Sequence, residues 1–364
     1  MINVLKNWFA KKKEDDSHSS LVKLARKKLF IHAGTYKTGT TYFQNTMYSN
    51  RAALAQSGLL YPKAGLGLTT THNRHAHRIL GIDIAAGRKN RFPGIINHLI
   101  DTPHLKSALV SYEGFGHLPS LRKLLQCKPC FDQVDLHGIL VFRPHIDLAI
   151  SLYRELCQNV SFQGDFKNMM SKPGAGANHR WQRTLEYRMI VELWQQLTGD
   201  ANLHLLSYRR ISHDTAQELL AVAGHEFKLV PPIDAERNPT LSAPIAELIR
   251  RMNKQKFNTQ VRHQLARELT LLDAKFPEFS KYCEITHDQA IQLEKSFEND
   301  RQFLTAYGFD AVADLTIGDK WRWGSDTNMG EAVLAAHEAL ITQLREKDEN
   351  DLAATVSTAL EAPT

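Results

Sequence analysis

Lys28-Leu29-Phe30-Ile31-His32-Ala33-Gly34-Thr35-Tyr36-Lys37-Thr38-Gly39-Thr40-Thr41 is the stretch on which the fold turns. Its apolar opening predicts a strand over 28–33. The glycine-bearing middle predicts a loop, and the segment after it predicts a helix over about 39–56 with Phe43, Met47 and Leu54 on one face. Strand, loop and helix in that order gather backbone N–H groups and a positive helix end around one point, which is where phosphate binds. In a Walker A loop the lysine follows the second glycine. Here Lys37 precedes Gly39 by two residues, so the loop suits a phosphate-like anion without being the ATPase version.

A second strand-to-helix junction repeats the theme. Leu136-His137-Gly138-Ile139-Leu140-Val141-Phe142 reads as a buried strand ended by Arg143-Pro144. The helix expected over 145–158 carries Ile146, Ile150, Tyr153 and Cys157 on one stripe. Arg143 and Ser151 then stand at the strand end and two turns into the helix. A guanidinium fork fits phosphate oxygens bidentately, and a serine hydroxyl adds a neutral donor.

The two elements in this order resemble those of sulfotransferases that use 3′-phosphoadenosine 5′-phosphosulfate (PAPS), in particular the bacterial, carbohydrate-type branch. In that family the loop binds the 5′-phosphosulfate, and an arginine with a serine at this spacing grips the 3′-phosphate. The resemblance therefore implies a donor site made of Thr35, Tyr36, Lys37, Thr38, Gly39, Thr40, Thr41, Arg143 and Ser151, with PAPS as co-substrate and no metal. It also implies that Lys37 stabilises charge on the leaving phosphate. Weaker likenesses are Ser107 to Phe115, similar to a family strand ending in Ser-x-Glu; Trp194 on a helix before a strand ending in Tyr208; and Asn238-Pro239-Thr240-Leu241-Ser242 before a helix. Two departures stand out. The family's Tyr-Glu is Tyr208-Arg209 here, and its glycine-rich adenine-covering loop is only echoed by Gly318-Asp319-Lys320-Trp321-Arg322-Trp323-Gly324.

The family's base for the acceptor proton is a glutamate or a histidine. Glu113 ends the expected strand at 107–112, and at a sheet's carboxyl edge a carboxylate can reach an acceptor. His75 leads the histidines of Thr69 to His77, where His-x-His spacing also reads as metal-ligating but lacks a carboxylate or cysteine to complete a site. Glu113 is placed first and His75 second. His32, inside the first strand, reads as a satisfied core histidine.

Alternating strands and helices predict an α/β, three-layer P-loop-type fold: a central parallel sheet flanked by helices, with a mostly helical C-terminal part. The likeness spans 28–310, leaving 1–27 as an N-terminal extension and 311–364 as a helical extension with a loose acidic tail. A helix over 179–197 is expected to bury Trp181, Leu185, Met189, Leu193 and Leu197, and Gly164 to Ala177 is expected to form a lid-like loop.

Composition narrows the rest. The chain has 364 residues, 43% of them hydrophobic and 23% charged, as in ordinary globular proteins. A net charge of +6 suits an anionic donor and is too mild and too evenly spread for nucleic acid. No apolar run approaches a membrane-spanning length, and residues 1–13 lack a signal-peptide pattern; Leu5, Trp8 and Phe9 beside three lysines read as a frayed terminus or a weak membrane-surface contact. Cys127-Lys128-Pro129-Cys130 lacks the partners of a zinc or redox site, so the thiols read as incidental and a reducing cytoplasm, at most the inner face of the membrane, is expected. The implied acceptor is a hydroxyl or amine of a carbohydrate or glycolipid. Two rivals stay open: an ATP-dependent P-loop kinase, and a non-catalytic nucleotide-binding module of the same fold.

Overall fold

The computed structural model describes residues 26–35, 37–67, 74–158, 162–171, 183–232, 241–317, 321–324 and 328–359. Five parallel strands form one sheet in the order β2-β3-β1-β4-β5: β1 Lys28–His32, β2 Leu59–Leu60, β3 Ser107–Ser111, β4 Asp135–Phe142 and β5 Leu203–Ser207. The expected α/β class holds. Successive β-residues face opposite sides of a sheet, and here both sides are apolar. Leu29, Ile31, Val110, Leu140 and Phe142 join one core, while Phe30, Leu109, Ile139 and Val141 join a second. Two buried faces demand helices on both, which is why the strands read as continuous apolar runs.

The helices of the α/β part are α1 Thr40–Ser49, α2 Arg51–Gln56, α3 Arg78–Ala85, α4 Phe92–Asp101, α5 Leu118–Gln126, α6 His145–Gln158, α7 Phe166–Ser171, α8 Tyr187–Thr198, α9 Tyr208–Ile211 and α10 Thr215–Val222. The remainder packs as α11 Ala243–Lys254, α12 Thr259–Asp273, α13 His287–Ser296, α14 Glu298–Thr305, α15 Met329–Glu346 and α16 Asn350–Ala359. Among the described residues no helix is long and apolar enough to cross a membrane.

Four expectations need correction. The lid-like loop expected over 164–177 opens with a helix, α7 Phe166–Ser171, in which Phe166 and Met169 are buried. The helix over 39–56 divides at Asn50, whose side-chain amide donates to Thr46 O (2.8 Å) and Val230 O (2.7 Å) and draws the chain out of register. The stripe through Met189 is out of phase. The helix starts only at Tyr187, after a 3₁₀ turn at Arg183–Leu185, and it buries Tyr187, Ile190, Val191, Trp194 and Leu197 while Met189 is exposed. The tail is not loose up to Ala359. Its helix α16 folds back on α15, buries Ala353 and Val356, and accepts a bond at Val356 O from His337 Nε2 (3.1 Å). Apolar positions spaced three apart suffice for a helix once α15 offers them a face.

Residues 1–25, 36, 68–73, 159–161, 172–182, 233–240, 318–320, 325–327 and 360–364 lie outside the described residues. With them fall the amphipathic N-terminus, Tyr36, His72, Trp181, residues 172–177 of the lid-like loop, Asn238 to Thr240 and the start of the adenine-loop echo.

Candidate functional site

Strand register brings the two sequence motifs together. Against β1, Lys28 pairs with Asp135 and His32 with Ile139, so β4 runs three residues beyond the end of β1. The loop after β1 continues along that overhang: Ala33 N donates to Ile139 O (2.9 Å), Thr35 N to Val141 O (3.3 Å) and Thr35 Oγ1 to Val141 O (2.8 Å). Arg143, just past the overhang, is thereby level with the loop's crest, and its guanidinium donates to Lys37 O (2.8 Å). The site lies where β1, β3 and β4 end, the switch point at which open α/β sheets bind ligands.

The loop backbone is unusual at two residues. Lys37 has φ 63°, a left-handed conformation that costs a non-glycine residue about 1–3 kcal/mol. Gly39, at φ 75°, is the N-cap of α1 and supplies no side-chain cap. The first turn of α1 therefore keeps its orphan N–H groups for something else. The threonine hydroxyls, by contrast, are engaged within the protein. Thr38 Oγ1 donates to Thr35 O (2.7 Å) and Thr40 Oγ1 to Glu113 Oε1 (2.6 Å). The hydroxyls of Thr35, Thr38 and Thr40 shape the loop and the Thr35 amide is engaged with Val141 O, so the amides of Thr38 and Thr40 remain for a ligand.

Lys37 Nζ stands 3.4 Å from Glu155 Oε2 on α6. Ser151 lies one turn earlier on that helix, so Lys37, Arg143 and Ser151 occupy one neighbourhood. Arg143 is held from behind: Tyr187 Oη donates to its carbonyl (2.9 Å), and its guanidinium lies 5.5 Å from the centre of the Tyr208 ring. Among the described residues, Arg143 Nε and Ser151 Oγ are buried without a partner, as are Ser207 Oγ at the end of β5, His32 Nε2 at the end of β1 and Gln44 Oε1 on α1. Buried polar atoms are nearly always paired, so a group of them at one sheet edge asks for a ligand.

The two base candidates separate clearly. Glu113 is buried at the start of the turn Glu113–Gly116 that follows β3, and accepts from Thr40 and, at 3.5 Å, from Gln44 Nε2. It therefore touches the first residue of α1. His75 lies on the flank of that helix, its Nδ1 2.8 Å from Asn45 Oδ1 and its ring stacked 4.0 Å over Tyr48. Asn45 is about 7 Å along the helix axis from Thr40. Burial, then the charges of Arg74 and Arg51, lower the His75 pKa. Tyr61, buried and with its pKa raised by burial and then by the charge of Glu113, donates to His75 O (2.9 Å).

Two cavities open near these groups. One of about 450 Å³ is lined by Arg78, Tyr112, Gly114, His117 and Ser120 beside the Glu113 turn. Another, of about 430 Å³, is lined by Arg51, Tyr61, Lys63 and His98. Among the described residues no cluster of three metal-ligating side chains occurs. Cys130 accepts from Asn90 Nδ2 (3.1 Å), and Cys127 ends α5 with its thiol pKa raised by burial and by Cys130. In the adenine-loop echo, Trp321 Nε1 donates to Asp147 Oδ1 (3.0 Å).

The residues at this edge that sequence reasoning did not place there are His32, Gln44, Ser111 and Glu155. Gln44 and Ser111 were silent because neither residue type nor spacing marked them; His32 carried a signal, a histidine inside a buried strand, and was read as satisfied.

No protein-family model matches the chain, and no curated protein does either. Among solved structures it is similar to a sulfotransferase from Alicyclobacillus acidocaldarius, with 12% identity and a TM-score of 0.38, covering 71% of this chain and 95% of that one. A likeness at that level says nothing about substrate or chemistry.

Proposed function

We propose that this chain is a sulfotransferase that moves a sulfuryl group from PAPS to an acceptor hydroxyl or amine on a carbohydrate or glycolipid. The observation that carries the reading is the edge where β1 and β4 end, where Lys37, Arg143 and Ser151 meet an uncapped helix start and buried donors lack partners. Arg143 Nε and Ser151 Oγ, both donors and both unpartnered, fit an anion such as the nucleotide's 3′-phosphate. The N–H groups of the 37–41 loop and helix start fit the 5′ end.

The bound donor supplies an activated sulfuryl group on a phosphate leaving group. Glu113 takes the acceptor proton as the acceptor oxygen or nitrogen bonds to sulfur and the sulfur–oxygen bond to phosphate breaks. Lys37, released from Glu155, places its ammonium against the charge that grows on the leaving phosphate. Thr40 orients the Glu113 carboxylate through its 2.6 Å bond. The acceptor comes in through the cavity beside the Glu113 turn, which is roomy enough for a sugar ring.

Calorimetric titration with 3′-phosphoadenosine 5′-phosphate (PAP), alongside ATP–Mg²⁺, tests the reading. PAP is expected to bind and ATP–Mg²⁺ is not; the reverse would make the protein a kinase-like NTP enzyme. Tight PAP binding with no ³⁵S transferred from labelled PAPS to any acceptor in a cell-envelope extract would leave a non-catalytic nucleotide module.

A further inference from the structure

His32 was expected to be a satisfied core histidine, and it is satisfied at only one nitrogen. The ring is buried, lies edge-on to Phe43 at 4.9 Å between centres, and has Nδ1 2.9 Å from Ser111 Oγ. Nε2 has no partner. It meets the β1–α1 loop at Gly34: a Cβ added there would lie 3.0 Å from His32 Nε2, 3.0 Å from Thr38 Oγ1 and 2.9 Å from Thr40 Cγ2. Only a glycine leaves the imidazole nitrogen this approach to the underside of the loop.

The network around Ser111 decides which nitrogen carries the proton. Gln44 Nε2 can only donate, and it donates to Ser111 Oγ (3.1 Å) and toward Glu113 Oε2 (3.5 Å). Among the described residues the Ser111 hydroxyl hydrogen has no acceptor other than His32 Nδ1, so it goes there and leaves the imidazole hydrogen on Nε2. The same bonds tie His32, through Ser111 and Gln44, to Glu113.

We propose that His32 is an additional hydrogen-bond donor to the oxyanion held by the loop, locked as the neutral Nε2–H tautomer by Ser111 and Gln44. This deepens the sulfotransferase reading and rests on the loop being an anion site. A buried neutral donor at the end of β1 adds a bond to the 5′-phosphate end of the donor without adding a second positive charge beside Lys37. Burial lowers the His32 pKa to about 3, so the donor persists across the working range of pH.

The test uses full-length protein labelled with ¹⁵N-histidine. His32 and His77 are both expected to stay neutral, with the proton on Nε2, between about pH 5 and 7.5; the His32 signal is the one missing from His32→Phe, and its Nε2–H proton moves downfield on adding PAP. His32→Phe keeps the ring contact with Phe43 and removes the donor. It is expected to weaken PAP binding about tenfold, while adenosine 3′-phosphate, which lacks the 5′-phosphate, binds as to the wild type. If that variant does not fold, Ser111→Ala keeps the imidazole and frees its tautomer; the signal should then divide between two tautomers and PAP affinity should fall about threefold. An Nε2–H signal unmoved at saturating PAP, or unchanged PAP affinity in His32→Phe, overturns the proposal and leaves the sulfotransferase reading standing. A signal moved by orthophosphate in a protein that refuses PAP keeps His32 as an anion donor and sinks the sulfotransferase reading. No anion bound at all sinks both.

Discussion

Arg143 and Arg154 stand at opposite ends of the same stretch of chain, one just before α6 and one in it, and their surroundings differ in kind. Arg154 is fully employed: Nε and one terminal nitrogen hold Glu284 (2.6 and 3.2 Å), the terminal nitrogens also reach Leu241 O (2.9 Å) and Tyr282 O (2.7 Å), and the Trp321 ring lies 5.1 Å away. Among the described residues the Arg143 guanidinium makes one hydrogen bond, to Lys37 O, and its buried Nε has no partner. The contrast extends to their regions. In the helical C-terminal part Asp314 binds Arg210, Asp273 accepts from both Ser242 N (2.9 Å) and Ser242 Oγ, and α13 starts with a full capping box at Thr286 and Gln289. At the carboxyl edge of the sheet, polar atoms are buried and left open. Polar burial that holds a fold together closes on itself; polar burial that awaits a ligand does not.

The sharpest way to break that contrast is Lys37→Ala, expected to cut transfer at least a thousandfold in a ³⁵S-PAPS assay with the melting temperature held within a few degrees; near-normal turnover would remove the lysine from the chemistry. Next, Glu113→Gln should lower kcat by two to three orders of magnitude at saturating PAPS while PAP affinity changes about twofold or less, and His75→Asn should leave kcat near wild type. The opposite pattern would make His75 the base. The two arginines come third. Arg154→Ala leaves the buried Glu284 carboxylate alone and should cost about 3–5 kcal/mol in chemical denaturation, whereas Arg143→Ala should barely move stability and weaken PAP binding at least about tenfold. Equal stability losses in both would erase the distinction between the two arginines.

The smallest effect concerns pH. Burial lowers His77 to about 4 and His32 to about 3, so in acid the unfolded chain binds protons that the folded one does not. Their contribution to stability is complete above about pH 6.5 and is lost as pH falls from there towards those values, at about 1.4 kcal/mol per unit for each histidine. Urea midpoints between about pH 6 and 4.5 should fall accordingly, and His77→Phe should flatten the slope; a slope unchanged in that variant would place the titration elsewhere.

Legibility tracked locality. The β1–α1 loop and the Arg143–Ser151 junction could be read because strand, turn and helix start are adjacent in the chain and their residue types are demanded by local geometry. Helix α6 falls on the expected 145–158 span because its apolar stripe is unbroken. The register of α8 was misjudged because a stripe extrapolated back to Trp181 ignores where the helix begins. The folded-back α16 was missed because its apolar content is too slight to form a helix without α15 beneath it.

By itself, then, the amino-acid sequence determined the α/β class and the strand–loop–helix and strand–helix junctions at which an anion is proposed to bind, since each follows from contacts within a few residues. Only the tertiary structure decided that the threonine hydroxyls of the loop turn inward, that Glu113 and not His75 touches the loop, that Lys37 faces Glu155, and that His32 keeps an open nitrogen. Those outcomes depend on strand register, on β4 overrunning β1 by three residues and on pairings more than sixty residues apart, and no local pattern encodes a distance of that kind.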